Sequence, residues 1–191
     1  MTAYRQLNIY RGNLCHIDLA RYFQGTLQQW RYKCAHAVAD LYKHIGETWT
    51  LSIGRKTFHV INNNYRTSRK VLIKGIRDTL RTQIDQVVQY RKKKYILDFK
   101  FTSRTDVEII EENVRTQIGF AAYISKDSEI VGGIYIIANL DTNELLAVKV
   151  FDFEKQEPER STLRTLWKLP GYEEIAFSDI TDELVEEKRG G

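Results

Sequence analysis

Tyr95-Ile96-Leu97-Asp98-Phe99-Lys100-Phe101 is the stretch from which the chain is read. Successive side chains of a strand point to opposite sides of a sheet. Tyr95, Leu97, Phe99 and Phe101 then make one wholly apolar face, and Ile96, Asp98 and Lys100 make the other. A strand with such a face is expected at the centre of a sheet. It carries a carboxylate and an ammonium on an otherwise buried element, and buried charges are costly unless they are paired or bound to a metal. The plain alternative is an exposed ion pair.

Working outward, residues 83–90 read as the preceding strand, joined to 94–102 by the basic turn Arg91-Lys92-Lys93. A two-residue loop at Arg91-Lys92 sets Tyr90 against Lys93 and, counting back, Asp85 against Asp98. Directly opposed side chains have Cβ atoms about 5 Å apart. Two carboxylates at that distance repel and raise one pKa unless a cation lies between them. A divalent metal removes the conflict, and oxygen ligation suits Mg²⁺ or Mn²⁺. Lys100 would then stabilise charge developing on a phosphate or orient an attacking water. Asp78 is a rival for the first acid, but it lacks the register with Asp98.

The remaining segments fit around this pair. Residues 17–44 read as helical, 48–53 and 57–61 as a hairpin around Gly54-Arg55-Lys56, and Asn62-Asn63-Asn64 as a loop. Residues 71–76 read as a short strand. Thr105 and Glu108 form a capping-box pattern, opening a helix with an apolar stripe at Val107, Ile110, Val114, Ile118 and Ala121. Residues 130–139 and 144–153 read as two more strands, and an acidic tail with one short helix near 161–168 follows. This order predicts an α/β domain with a mixed β-sheet flanked by helices. Neither a Rossmann nor a P-loop glycine fingerprint is present.

At 191 residues with 42% hydrophobic side chains, the chain is long enough for a single domain with a full core. Its two cysteines, Cys15 and Cys34, exclude a disulfide framework and a four-cysteine metal or iron–sulfur site within one chain. They are read as ordinary thiols, and a reducing cytoplasm is the expected address. No apolar run reaches the roughly 20 residues of a membrane span, and Met1 to Arg11 lacks an apolar signal core. The net charge of +4 conceals a split: residues 1–104 hold 20 Lys/Arg against 6 Asp/Glu, and residues 105–191 hold 9 against 19. Such asymmetry points to a polyanionic partner, or to two halves that neutralise each other.

Ile84-Asp85-Gln86-Val87-Val88, a short basic turn, then Ile96-Leu97-Asp98-Phe99-Lys100 resembles the PD-(D/E)xK nuclease superfamily. More narrowly, it is similar to the RecB-like branch, which includes CRISPR-associated and viral exonucleases. The resemblance covers residues 36–153, taken as the catalytic core of one domain, with 154–191 as an acidic extension. It implies a restriction-endonuclease-like core, Asp85 and Asp98 as metal ligands, the Phe99 carbonyl as a third, and Lys100 as the catalytic lysine. Members of the branch often carry a glutamine on the following helix, which maps to Gln117, and a histidine in the first helix. His36, with Asp40 one turn on, is assigned to the latter, while His16, His44 and His59 receive no role. Gln117 has the plainer alternative of capping a backbone group. No proline precedes Asp85, Tyr123 lies six residues after Gln117 where the branch often has a tyrosine four on, and the iron–sulfur cysteines are missing.

The basic residues Arg91, Lys92, Lys93 and Lys94, with Arg66, Arg69, Lys70 and Lys74 upstream, are assigned to a nucleic-acid face, with Tyr65, Tyr90 and Tyr95 as stacking surfaces. The reading reached is a Mg²⁺- or Mn²⁺-dependent nuclease acting on DNA, without a membrane partner. The alternatives are a nucleic-acid-binding protein that keeps the fold without catalysis, and a junction resolvase, which requires a homodimer.

Overall fold

A computed structural model of the chain describes residues 2–153 and 180–182. Helix α1 (Ala3–Gln24) starts where the Thr2 side chain accepts the Arg5 N–H, and it stops at Gly25. At φ 76° Gly25 takes the left-handed conformation that closes a helix without steric cost. After α2 (Lys33–Ala39) the chain turns into strand β1 (Tyr42–Ile45). The helix expected over 17–44 is therefore corrected: it begins earlier, breaks at Gly25, and its last residues are a strand.

The strands β2 (Thr48–Ile53), β3 (Lys56–Ile73), β4 (Ile76–Tyr90) and β5 (Lys93–Thr102) form a meander. Helix α3 (Val107–Ser125) then crosses to β6 (Ile130–Asn139), followed by β7 (Leu145–Asp152) and β8 (Ile180–Asp182). Sheet order follows sequence order from β1 to β7, with β8 on β3. β5 and β6 run parallel, joined by α3, and the other described pairs are antiparallel. The result is an α/β fold whose mixed sheet is flanked by helices.

Two-residue turns set the registers. Lys74-Gly75, with φ of 49° and 80°, splits the segment 71–76 into the ends of β3 and β4 rather than leaving it one short strand. Asn62-Asn63-Asn64 is not a loop but lies inside β3, where the register shifts between Val60 and Asn62 and Asn64 has φ 48°. Asparagine tolerates that conformation.

The alternation along β5 gives the sheet its two faces. Tyr95, Leu97, Phe99 and Phe101 pack with Cys15 and Leu19 of α1 and Val38 of α2. Ile96 packs on the other side with Val87 and with Ile110, Val114, Ile118 and Ala121, the stripe expected on α3. Each large apolar side chain so buried contributes roughly 2 kcal/mol. Gly133 lets α3 approach, since a Cβ there would lie 2.6 Å from Ile118 Cγ2. The expected capping box is not formed: Asp106 is the N-cap, its carboxylate accepts from Arg104 rather than from a helix N–H, and the Val107 N–H goes to the Thr105 carbonyl. Helix α1 precedes the span 36–153, yet it forms part of the packing on β5. The expected helix over 161–168 lies outside the described residues, as does the acidic extension apart from β8.

Candidate functional site

β4 and β5 part company at the candidate site. Their ladder runs from Tyr90–Lys93 to Gln86–Leu97, the register expected from a two-residue turn, and Asp85 is the next residue. Beyond it the strands fork. Alternation on β4 breaks here too, because Ile84 and Val87 both pack toward α3 while Gln86 bonds Tyr42 on the opposite side. Asp85 occupies the fork, and its Oδ2 accepts the Phe99 N–H at 2.9 Å in place of a backbone carbonyl.

Asp98 is half-buried beside it, and its Oδ2, itself buried, has no hydrogen-bond partner. Burial, and then the charge of Asp85, raise the Asp98 pKa from 3.8 to about 7, with Lys100 and His16 pulling the other way. Lys100 and Gln117 meet across β5 and α3, the Lys100 Nζ donating to Gln117 Oε1 at 3.1 Å. Asp85 and Asp98 thus stand side by side, with Lys100 of the same strand close enough to feel Asp98 electrostatically and tied to Gln117.

The histidine of this group is His16, not His36. His16 Nδ1 lies 3.4 Å from Asp85 Oδ1, and its ring stands edge-on to Phe101. Burial alone would lower its pKa, but Asp85, with Asp98 behind it, raises it above the ordinary value. His36 is 54% exposed, bonds Asp40 at 3.3 Å on its own helix and stacks on Trp30. The His36–Asp40 spacing reflects a local surface pair. A signal for His16 was present in the sequence: His16, Leu19, Ala20 and Phe23 follow helical i, i+3, i+4, i+7 spacing, and all four line the recess at Asp85.

Asn63, Asn64 and Phe99 line the same recess. Behind it, the buried Gln86 accepts the Tyr42 hydroxyl at 2.6 Å and donates to Asn63 Oδ1 at 2.9 Å. This chain of neutral bonds fixes the Asn63 amide. Asp78 lies away from the fork, opposite Val71, with its Oδ1 accepting the Thr79 N–H.

Of the eight basic residues assigned to nucleic acid, Arg69 and Lys94 are held in ion pairs among the described residues, and Arg91 lies over the Tyr90 ring. Arg69 makes two bonds to Asp182, at 2.7 and 2.6 Å, donates to the Tyr123 carbonyl at 2.6 Å and lies over the Tyr123 ring. Lys94 bridges Asp127 at 3.0 Å and Glu129 at 2.9 Å. Arg66, Lys70, Lys74, Arg91, Lys92 and Lys93 are exposed. Tyr95 is 1% exposed and offers no stacking surface, because it faces the α1 side of the core. Cys15 and Cys34 are fully buried free thiols with Sγ atoms 3.7 Å apart.

The donor set fits a hard divalent cation. Asp98 Oδ2 is an orphaned buried acceptor, and a second carboxylate stands next to it. Among the described residues, no group of three His, Cys, Asp or Glu side chains could hold a metal by itself. Mg²⁺ is commonly held by one or two carboxylates, with waters and substrate phosphate filling its shell. No helix among the described residues is long and apolar enough to cross a membrane.

No protein-family model matches the chain, and no curated protein matches it. Among solved structures, it is similar to the crystal structure of SSO0001, with 15% identity and a TM-score of 0.40. That alignment covers 51% of this chain and 42% of the other.

Proposed function

We propose that the chain is a metal-dependent nuclease of the PD-(D/E)xK type, similar to the RecB-like branch, that hydrolyses phosphodiester bonds in DNA. The observation that carries this reading is the partnerless, buried Oδ2 of Asp98 beside Asp85, with Lys100 and Gln117 joined at the same strand. An acid left in that state is a costly element unless a cation is its partner.

Asp85 and Asp98 would hold Mg²⁺ or Mn²⁺, with His16 steadying Asp85 through Oδ1 and the Phe99 N–H steadying Oδ2. When bound, the cation supplies a lowered pKa for water and charge neutralisation at the phosphate. Lys100 offers an ammonium to the negative charge that grows on the phosphoryl oxygens. Gln117 holds that ammonium in place by accepting one of its protons. The basic first half of the chain suits a polyanionic substrate.

One observation favours a second reading, a nucleic-acid-binding protein without catalysis: among the described residues no third ligating side chain completes a metal cage. A cleavage panel on linear, circular, single-stranded and branched DNA with Mg²⁺ and Mn²⁺ separates the two. The nuclease reading expects products that require metal and vanish in Asp98→Ala. Intact DNA throughout, with binding retained, supports the second reading.

A further inference from the structure

The β3–β4 ribbon extends well past β5. β4 pairs with β5 from Gln86 to Tyr90, whereas β3 and β4 stay paired out to Ile73 and Ile76. One face of this arm is covered, with Val71, Ile73 and Leu80 packing against Phe120 and Ile124 of α3. The opposite face lies on the α1 side of the sheet, where the recess at Asp85 also opens. It presents Arg66, Ser68 and Lys70 from β3 and Arg77, Arg81 and Gln83 from β4, and all six are exposed.

The register interleaves the cations. Moving outward from the fork, Arg66 comes first, then Arg81 opposite Ser68, then Lys70, then Arg77 opposite Leu72, and Lys74 at the turn. Each step is two residues, about 7 Å. Such a step is comparable to the spacing of consecutive phosphates along one nucleic-acid strand. None of the outward positions 66, 68, 70, 72, 77, 79, 81 and 83 is acidic, because Asp78 falls on the other face opposite Val71.

We propose that this face is a docking surface for the sugar–phosphate backbone of duplex DNA, leading it to the Asp85–Asp98 fork. Only the last clause rests on the nuclease reading; the docking itself does not. Charge complementarity and the phosphate-like spacing argue for a nucleic-acid backbone. The face carries no aromatic side chain, so a single strand would forgo the base stacking that holds it on such proteins. With α3 on its back, the ribbon is too thick to enter a major groove and contacts phosphates rather than bases.

The test compares Arg66→Glu/Arg81→Glu with a charge-matched control, Lys33→Glu/Lys43→Glu, both off the arm. Binding is read by fluorescence anisotropy in EDTA, on a random-sequence DNA duplex of about two helical turns and on its single strand. Wild type and control are expected to bind the duplex alike and more tightly than the single strand. The arm variant is expected to bind about tenfold more weakly at about 50 mM salt, with the log–log salt slope shallower by about 1.8. Arg66→Gln/Arg81→Gln, with its thermal melt matched to wild type, guards against misfolding and should reproduce the smaller slope. An arm variant that binds like the control, a single strand that outcompetes the duplex, or no duplex binding at all overturns the proposal. Mg²⁺-dependent cleavage is scored separately: its absence sinks the nuclease reading and leaves the EDTA result standing.

Discussion

Asp98 sits in an environment that penalises its own charge. Its carboxyl is buried beside Asp85, and its pKa rises from 3.8 to about 7. A raised carboxyl pKa means the metal-free fold binds a proton more tightly than the unfolded chain does. The associated stability is therefore full below about pH 4 and is lost as pH climbs through about 7. Asp98→Asn removes this dependence. In EDTA, the urea stability of wild type relative to Asp98→Asn should fall by a few kcal/mol between about pH 4.5 and about pH 7.5. Adding Mg²⁺ should restore the wild type and leave the variant unchanged. A difference that is flat with pH would contradict the geometry of the pair. Lys100 and Gln117 act as a unit, so Gln117→Leu should lower kcat about tenfold at nearly constant KM, and Lys100→Ala should lower it by about a hundredfold or more. Equal effects on KM would instead mark Gln117 as a substrate contact. The turn length fixed the ladder as far as Gln86–Leu97, but the direct pairing expected for Asp85 and Asp98 is not formed, because the strands fork there and Asp85 accepts the Phe99 N–H instead. His16 was not legible, because a helix read as starting at residue 17 leaves it outside the apolar stripe that aims it at Asp85.

The elements fix how rigidly the fork is held. The crossover from β5 through α3 to β6 brings Gln117 over Lys100, and its tight packing depends on Gly133, while Gly132 lets β7 lie close to β6. A Cβ at Gly132 would sit 2.1 Å from the Phe151 carbonyl oxygen, a backbone atom with no rotamer to yield. Gly132→Ala should therefore cost at least about 3 kcal/mol in urea unfolding, and a loss below about 1 kcal/mol would show that β7 shifts freely. Arg69 tells two basic roles apart. It ties β3 to β8 and to the end of α3, so Arg69→Ala should lower stability by about 1–2 kcal/mol while DNA affinity stays near wild type. A tenfold loss of affinity with unchanged stability would return Arg69 to the nucleic-acid face. Charge counting cannot make this distinction, because the partners of Arg69 and Lys94 lie far along the chain. The strands around β5 were readable from alternation. The reach of β3 and β4 was not, since an exposed arm lacks a clean apolar period and its polar asparagines look like a loop.

At the scale of the whole molecule, the sheet separates two functions of charge. The α3 side buries apolar stripes, while the arm's other face collects exposed cations. The composition split of the two halves was visible in the sequence, but which cations stay free depends on tertiary pairing. All of this converges on the fork, where the proposed reading has two acids share a cation. Titration of Mn²⁺ into the metal-free protein, followed by the loss of its free-ion electron paramagnetic resonance signal, tests that sharing directly. Saturable binding by wild type, abolished in both Asp85→Asn and Asp98→Asn and retained in His36→Ala, is the result expected. Undiminished Mn²⁺ binding by the two aspartate variants, or none by the wild type, would contradict it.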